Sequence, residues 1–154
     1  MRYFVPDICA AAEAPPETAA QDKFGGIPFG LGQVMWPTCK ECGKSQSLLA
    51  QLTHDHRRLD LGRAGRVLFA FQCNHDPGMC ATWDAQSGAN ACIIVEPEEL
   101  GHALTDLPGD RPTVENEVRV LAWIEKDDGL PMSLAPSLSR RNGIQTIRSA
   151  KRNG

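Results

Sequence analysis

Residues 39–43 read Cys-Lys-Glu-Cys-Gly, and residues 67–80 read Val-Leu-Phe-Ala-Phe-Gln-Cys-Asn-His-Asp-Pro-Gly-Met-Cys. Two thiols three positions apart, followed by a glycine with its access to positive φ, can form a tight turn whose backbone N–H groups point back at the sulfurs. The second stretch places one cysteine after an apolar run and another after a Pro-Gly turn. Four thiolates form the closed tetrahedral ligand set of a structural Zn²⁺. The sequence therefore predicts a structural zinc ion bound by Cys39, Cys42, Cys73 and Cys80.

Other uses of these cysteines are less consistent with the sequence. A disulfide framework is disfavoured because the chain is long enough to build its own core and its opening residues lack an export signal, so a reducing cytosol is the expected compartment. A thioredoxin-like pair needs a helix after the second cysteine, whereas Cys42 is followed by Gly-Lys-Ser and a strand-like run. Four unrelated buried thiols are disfavoured because Cys39 and Cys42 lie in a polar turn. Cys9 is expected to be packed or idle, and Cys92 to be a core residue.

Three histidines are alternative ligands. His75 lies between the last two cysteines and can replace either of them. His54 and His56 are one residue apart at the end of a strand-like run, so both face one side, but a third protein ligand is missing nearby. We expect all three to be ordinary loop histidines.

Length and charge limit the class of protein. A chain of 154 residues can form one domain that buries roughly two thirds of its unfolded surface. Its net charge is -3, yet all 19 acidic residues lie before residue 129, and the segment after it is basic. A basic segment of this kind can bind nucleic acid. Nucleic-acid binding is nevertheless disfavoured, because the segment has no aromatic residue among its cations and the chain as a whole is acidic. Neither an export signal nor a membrane span is recognisable in the sequence.

Periodicity predicts a mainly β to α+β fold, an antiparallel sheet with a zinc knuckle and one or two short helices. We expect a lead-in segment at 1–22, a zinc-stabilised β-rich domain at 23–128 and a basic, loop-rich tail at 129–154. Predicted strands cover Gln33–Trp36, Ser47–Leu52, Arg66–Gln72, Cys92–Val95 and Glu117–Lys126, and a short helix is predicted over Glu98–Leu104. The glycine-rich stretch at 23–32 predicts a bent backbone and not a phosphate loop, because no helix follows it.

The order of these motifs carries a resemblance. It runs from Gly25-Gly26-x-Pro28 through Trp36-Pro37-x-Cys39-x-x-Cys42-Gly43 and Ser47-Leu-Leu-Ala-Gln51 to a Phe-rich strand ending at Cys73 and a later Cys80. This order resembles the YwqG-like family of uncharacterised bacterial proteins, and it is similar to the amino-terminal region of the eukaryotic programmed cell death protein 2 family. The resemblance covers residues 23–80. It implies a mostly β fold, zinc at the four cysteines, signature positions at Gly25, Gly26, Pro28 and Gln51, and, in the eukaryotic relatives, a chaperone role toward a ribosomal protein.

No catalytic set is recognisable. Acidic pairs such as Glu98-Glu99 lie in turn-like contexts, no serine has a nucleophile-elbow setting, and four thiolates leave zinc no open position for water. The sequence thus predicts a cytoplasmic, non-catalytic, zinc-stabilised protein-binding module; a metal-dependent hydrolase and a nucleic-acid binder remain the alternatives. The last strand leaves an apolar face at Val118, Val120, Ala122 and Ile124, which predicts a protein partner or a second copy of the domain as its cover.

Overall fold

The computed structural model describes residues 1–129. These residues form a single six-stranded antiparallel sheet. Its strands are β1 (Arg2–Ala10), β2 (Lys23–Phe24), β3 (Ser47–Thr53), β4 (Val67–Gln72), β5 (Asn90–Val95) and β6 (Val118–Asp127). The order across the sheet is β1-β6-β2-β3-β4-β5, so β1 and β5 are its edges. The predicted mainly β fold is confirmed, and the described helical segments are 3-10 turns of three residues each.

One face of the sheet carries the core. Along β4, Val67, Phe69 and Phe71 are buried, whereas the residues between them are only partly buried. This alternation is the period of two that a strand with one covered face requires. The loop from β2 to β3 supplies Leu31 and Trp36 to this cluster. This connection therefore packs on the core side of the sheet.

The predicted lead-in segment at 1–22 contains a strand of nine residues. Residues Arg2–Ala10 pair with β6 along the whole of β1. Pro6 lies inside this strand, and it is tolerated because an edge strand needs no hydrogen bonds on its outer side. A β-bulge between Asp7 and Ile8 leaves Leu121 opposite no residue of β1. The bulge interrupts the strict alternation predicted from Val118 to Ile124.

Two local secondary-structure predictions were wrong. The stretch predicted as a strand over Gln33–Trp36 is a 3-10 helix at Gln33–Met35, closed by a Met35 N–H to Gly32 C=O hydrogen bond of 2.8 Å. The helix predicted over Glu98–Leu104 is a 3-10 turn at Pro97–Glu99, preceded by a capping box in which Glu96 and Glu99 bond each other's backbone. The first segment closes on itself through this local hydrogen bond and so does not extend as a strand. The second is too short for an α-helix to propagate.

A buried ionic cluster joins the start of the chain to its last described strand. The Lys23 side chain is 0% exposed, and its amine donates to Glu17 at 2.8 Å, to the Ile27 carbonyl at 2.6 Å and to Glu117 at 3.2 Å. Arg119 approaches Glu17 at 3.3 Å and Glu117 at 2.5 Å. Two cations and two carboxylates balance, which is the condition for burying charges at tolerable cost.

The signature positions of the motif resemblance surround this cluster. Gly25 has φ +67°, and a Cβ there would lie 2.4 Å from the Asn116 carbonyl oxygen, so only glycine fits. Gln51 is fully buried; its carbonyl accepts the Phe29 N–H at 2.8 Å and its amide donates to the Gln21 carbonyl at 2.8 Å. These residues fix the bent glycine-rich segment against β3.

Candidate metal centre

The first half of the centre is the turn from Cys39 to Lys44. The Cys39 N–H donates to the Lys44 carbonyl at 2.8 Å, and the Gly43 N–H donates back to the Cys39 carbonyl at 2.8 Å. Gly43 has φ +71°, the left-handed conformation that a side chain would strain. A bridge between Thr38 and Ser45 closes the base of the turn. The Cys-x-x-Cys-Gly spacing therefore folds as the tight knuckle that the sequence predicts.

The second half is the loop between β4 and β5. Cys73 directly follows β4, and its N–H donates to the Ala89 carbonyl at 2.8 Å, one step beyond the Gln72–Asn90 pair. Cys80 lies within the same loop, and its carbonyl accepts the Thr82 N–H at 2.8 Å. This loop returns the chain so that both sulfurs face the first knuckle.

Antiparallel pairing brings the two halves together. Ser47, the first residue of β3, pairs with Gln72, the last residue of β4. The knuckle that precedes β3 must therefore lie beside the cysteine that follows β4, although Cys39 and Cys73 are 34 positions apart in the sequence. The sheet register positions the site.

The four sulfurs lie within 4.8 Å of one another, and the Cys42 and Cys73 sulfurs are 3.6 Å apart. A tetrahedral ion with metal–sulfur bonds of about 2.3 Å places its sulfurs about 3.8 Å apart. A disulfide would bring two sulfurs to about 2.05 Å, and all six cysteines are free thiols. The donor set and its spacing thus fit one metal ion held by four cysteines.

Burial and backbone dipoles act oppositely on these thiols. Burial opposes ionisation of Cys39, but N–H groups of Cys42 and Glu41 directed at its sulfur outweigh burial and lower its pKa. Burial raises the pKa of Cys73, although the His75 backbone N–H acts against it. Burial is also the largest cause of the raised pKa of Cys80. A bound dication would reverse this balance by favouring four thiolates.

Hydrogen bonds outside the sulfurs hold the two halves to each other. The Glu41 carboxylate accepts the Ala81 N–H at 2.8 Å, joining the first knuckle to the residue after Cys80. The Gly88 carbonyl accepts the Lys40 N–H at 3.1 Å and the Gln46 amide at 3.1 Å. Such supporting contacts orient metal ligands before the ion arrives. Their partners are 40 to 48 positions apart and carry no local sequence signal, so only the thiols themselves were predictable.

The histidine alternatives fall outside the cluster. Within residues 1–129 the group able to hold a metal consists of the four cysteines, and the exposed His75 contributes its backbone N–H to Cys73. His54 accepts the Leu61 N–H through Nδ1 at 3.0 Å, so it supports the loop after β3. His56 is exposed. Cys92, predicted as a core residue, is exposed on edge strand β5 because its side chain alternates away from buried Val95.

A scan against protein-family models finds no match, and searches of curated proteins and of solved structures find none either. The resemblance to the YwqG-like and programmed cell death protein 2 families therefore stays a prediction. In residues 1–129, no helix has the length and hydropathy needed to cross a bilayer.

Proposed function

We propose that this chain is a cytoplasmic, non-catalytic protein-binding module stabilised by one structural Zn²⁺. The observation that carries the proposal is the closed set of four sulfurs, three of them on buried residues, at the junction of the knuckle and the β4–β5 loop. A structural site fills all four positions with protein ligands, whereas a catalytic zinc keeps one position for water or substrate. The resemblance to the programmed cell death protein 2 region extends the proposal to a chaperone-like role.

Zinc is the metal that this donor set favours. Four thiolates in a tetrahedral arrangement suit Zn²⁺ or an iron–sulfur centre, whereas carboxylate and carbonyl oxygens suit Mg²⁺ and Ca²⁺. A single ion with bonds of about 2.3 Å matches the sulfur spacing of 3.6 Å between Cys42 and Cys73. The Cys39 to Gly43 knuckle supplies the N–H groups that stabilise thiolates.

The two alternatives lack such support. A metal-dependent hydrolase needs an open metal position, and the clustered ligand atoms are four sulfurs without His75. Nucleic-acid binding was assigned to the basic tail, and its cations at 140–152 lie outside the described residues. Neither alternative therefore replaces the binding module as the best-supported function.

Metal analysis tests the zinc site. Protein purified without chelator should contain one zinc per chain, and Cys42→Ser should lower this content because it removes one of four ligands. Cys42 is exposed, so its substitution perturbs the core least. Cys92→Ser is the matched control, another exposed cysteine outside the cluster, and should keep full zinc. Absence of stoichiometric metal in the wild type, or equal loss in both variants, contradicts the proposal.

A substrate panel tests the non-catalytic part. Esters, phosphoesters and peptides should show no zinc-dependent turnover with the wild-type protein. Because His75 is exposed and outside the sulfur cluster, His75→Ala should leave zinc content unchanged. Turnover that requires zinc and disappears in His75→Ala would show an open catalytic site and refute the module.

A further inference from the structure

The outer edge of β5 offers main-chain groups to a further strand. Antiparallel bonding alternates along a strand, and the Cys73 N–H bonds the Ala89 carbonyl, so every second residue of β5 counted from Ala89 bonds β4. Cys92 and Ile94 lie between those residues and turn their N–H and C=O groups away from β4. Within residues 1–129 these four groups have no hydrogen-bond partner. Both residues are exposed, Ile94 to 51%, so the edge is accessible as well as unpaired.

The two edges of the sheet differ in their protection against strand addition. On β1, Pro6 has no N–H to donate and a bulge follows Asp7; both features discourage pairing at an edge. By contrast, β5 reads Asn-Ala-Cys-Ile-Ile-Val and contains no proline, glycine or charge. Its last three residues are β-branched, the class of side chain enriched in strands. An unprotected edge of this composition readily accepts another strand.

A short segment of the chain's own tail has the composition of that strand. Residues 144–147, outside the described part, read Ile-Gln-Thr-Ile, and three of these four side chains are β-branched. Successive side chains of a strand alternate between its two faces, so Ile144 and Ile147 would lie on opposite faces. One isoleucine would then extend the row of Ile93, which packs against the core, and the other the row of exposed Ile94. The segment therefore matches both faces of β5.

The tail is long enough to reach this edge. All neighbouring strands are antiparallel, so β6 and β5 run in the same direction and end at the same end of the sheet. A strand outside β5 would lie five strand spacings from β6, or about 24 Å. Residues 130–143 span up to about 46 Å when extended at about 3.3 Å each. The segment would therefore reach the Val95 end first and run antiparallel to β5.

Charge favours the tail at both ends of this edge. All 19 acidic residues of the chain lie in the described part, whereas the charges of the tail are all basic. Three carboxylates and two guanidiniums lie at the Val95 end; they are Glu96, Glu98, Glu99, Arg63 and Arg66. The exposed Asp84 lies at the other end, where its carbonyl accepts a side-chain hydrogen bond from the first residue of β5 at 3.3 Å. Arg140 and Arg141 would arrive beside the excess carboxylate, and the cations at 148–152 would lie toward Asp84.

We propose that residues 144–147 add to β5 as a seventh, antiparallel strand, so that the chain's own tail covers this edge. The main chain of the segment would pair with Cys92 and Ile94, and its basic flanks would meet the carboxylates at both ends. This inference goes beyond the proposed function, because it requires neither a metal nor a foreign partner.

Residue-resolved hydrogen exchange of the full-length protein tests the pairing. In the wild type, the amides of Cys92 and Ile94 should exchange at least about tenfold more slowly than in an unfolded peptide. Gln145→Pro/Thr146→Pro should abolish this protection. Adjacent residues of a strand alternate in direction, so one of the two prolines must remove a donor to β5 in either register. The Ile93 amide, which bonds β4, should stay slow in every sample.

Two controls isolate the segment. Ser133→Pro/Leu134→Pro places the same two prolines elsewhere in the tail and should leave the exchange rates as in the wild type. A synthetic peptide of residues 140–152, added at about 5 mM to the variant with prolines at 145 and 146, should restore slow exchange, since a tethered segment acts at a roughly millimolar effective concentration. The same peptide carrying both prolines should not restore it.

Each other result overturns the proposal. Exchange of Cys92 and Ile94 at the unfolded rate in the wild type shows an open edge. Protection that survives Gln145→Pro/Thr146→Pro has another cover, which is a second copy if protection increases from about 20 to about 500 µM protein and a different segment if it does not. Exchange that stays fast with the unmodified peptide shows that the prolines acted indirectly. The zinc content of the same samples tests the metal site separately.

Discussion

Replacing Lys23 by methionine should destabilise the protein more than any surface charge change. The substitution keeps a long side chain but removes the cation that Glu17 and Glu117 contact at 2.8 and 3.2 Å. Arg119 then faces both carboxylates alone, and the buried cluster carries one excess negative charge. Removing one partner of a buried ion pair costs about 3–5 kcal/mol. The total stability of a domain is about 5–15 kcal/mol, so this single change removes a large share of it.

A double-mutant cycle tests the reasoning. Glu117→Gln in the Lys23→Met background restores neutrality, so the double variant should recover about 1–3 kcal/mol relative to additive losses. Urea unfolding with saturating zinc measures each stability, and unchanged m-values show that the unfolded state is unaffected. Arg63→Met is the surface control. The Arg63 side chain is 52% exposed and pairs with Glu96 and Glu98, so its replacement should lower the free energy of unfolding by less than about 1 kcal/mol. A loss under about 1 kcal/mol for Lys23→Met, or strict additivity, would refute an energetically coupled buried cluster.

Three further predictions concern pH, metal and core. Burial acts against ionisation of Glu117, but Arg119 and Lys23 outweigh burial and lower the pKa of this carboxyl. The ionised Glu117 therefore stabilises the fold at pH above the ordinary glutamate pKa of about 4.3, and this stabilisation is lost as the pH falls through the lower pKa of the folded state. Acid unfolding of Glu117→Gln should depend less steeply on pH below about 4.3; an unchanged profile contradicts this. Chelation should increase hydrogen exchange in the knuckle and the β4–β5 loop more than in β6, since structural zinc contributes on the order of 10 kcal/mol; uniform loss of protection refutes local stabilisation. Phe69→Ala, at a 0% exposed core position, should cost about 3–5 kcal/mol in urea unfolding, and a cost under about 1 kcal/mol would contradict the assignment of this cluster as the core.

The sequence predicted the features that local chemistry determines. The Cys39 to Gly43 spacing predicted a knuckle because the turn needs only a glycine and two thiols close together. The aromatic and β-branched run at β4 predicted a strand, confirmed at Val67–Gln72. The last predicted strand, Glu117–Lys126, agrees with β6 to within one residue at each end.

Features that depend on distant pairing were missed. Pro6 and Asp7 interrupt the first apolar run, so the sequence did not reveal that β1 lies at an edge where a proline is tolerated. Cys92 lies in an apolar run that predicts burial, but the run cannot show that β5 is an edge strand on which Cys92 alternates away from buried Val95. The burial of Lys23 depends on Glu117, 94 positions away. Such pairings become visible only when the register is known.

The metal centre adjoins the ends of β4 and β5, and this gives the proposed zinc a purpose beyond local stability. Cys73 extends β4, and its N–H bonds the carbonyl of Ala89, the residue before β5. An ion that fixes Cys73 and Cys80 would close the loop joining these strands and hold β4 against β5 in a single register. A slip of β5 by one residue would turn Ile93 and Val95 away from the core side of the sheet and Ile94 toward it. By fixing this register, the proposed zinc would keep Val95 paired with Val67 in the core, far along the strands from the sulfurs themselves.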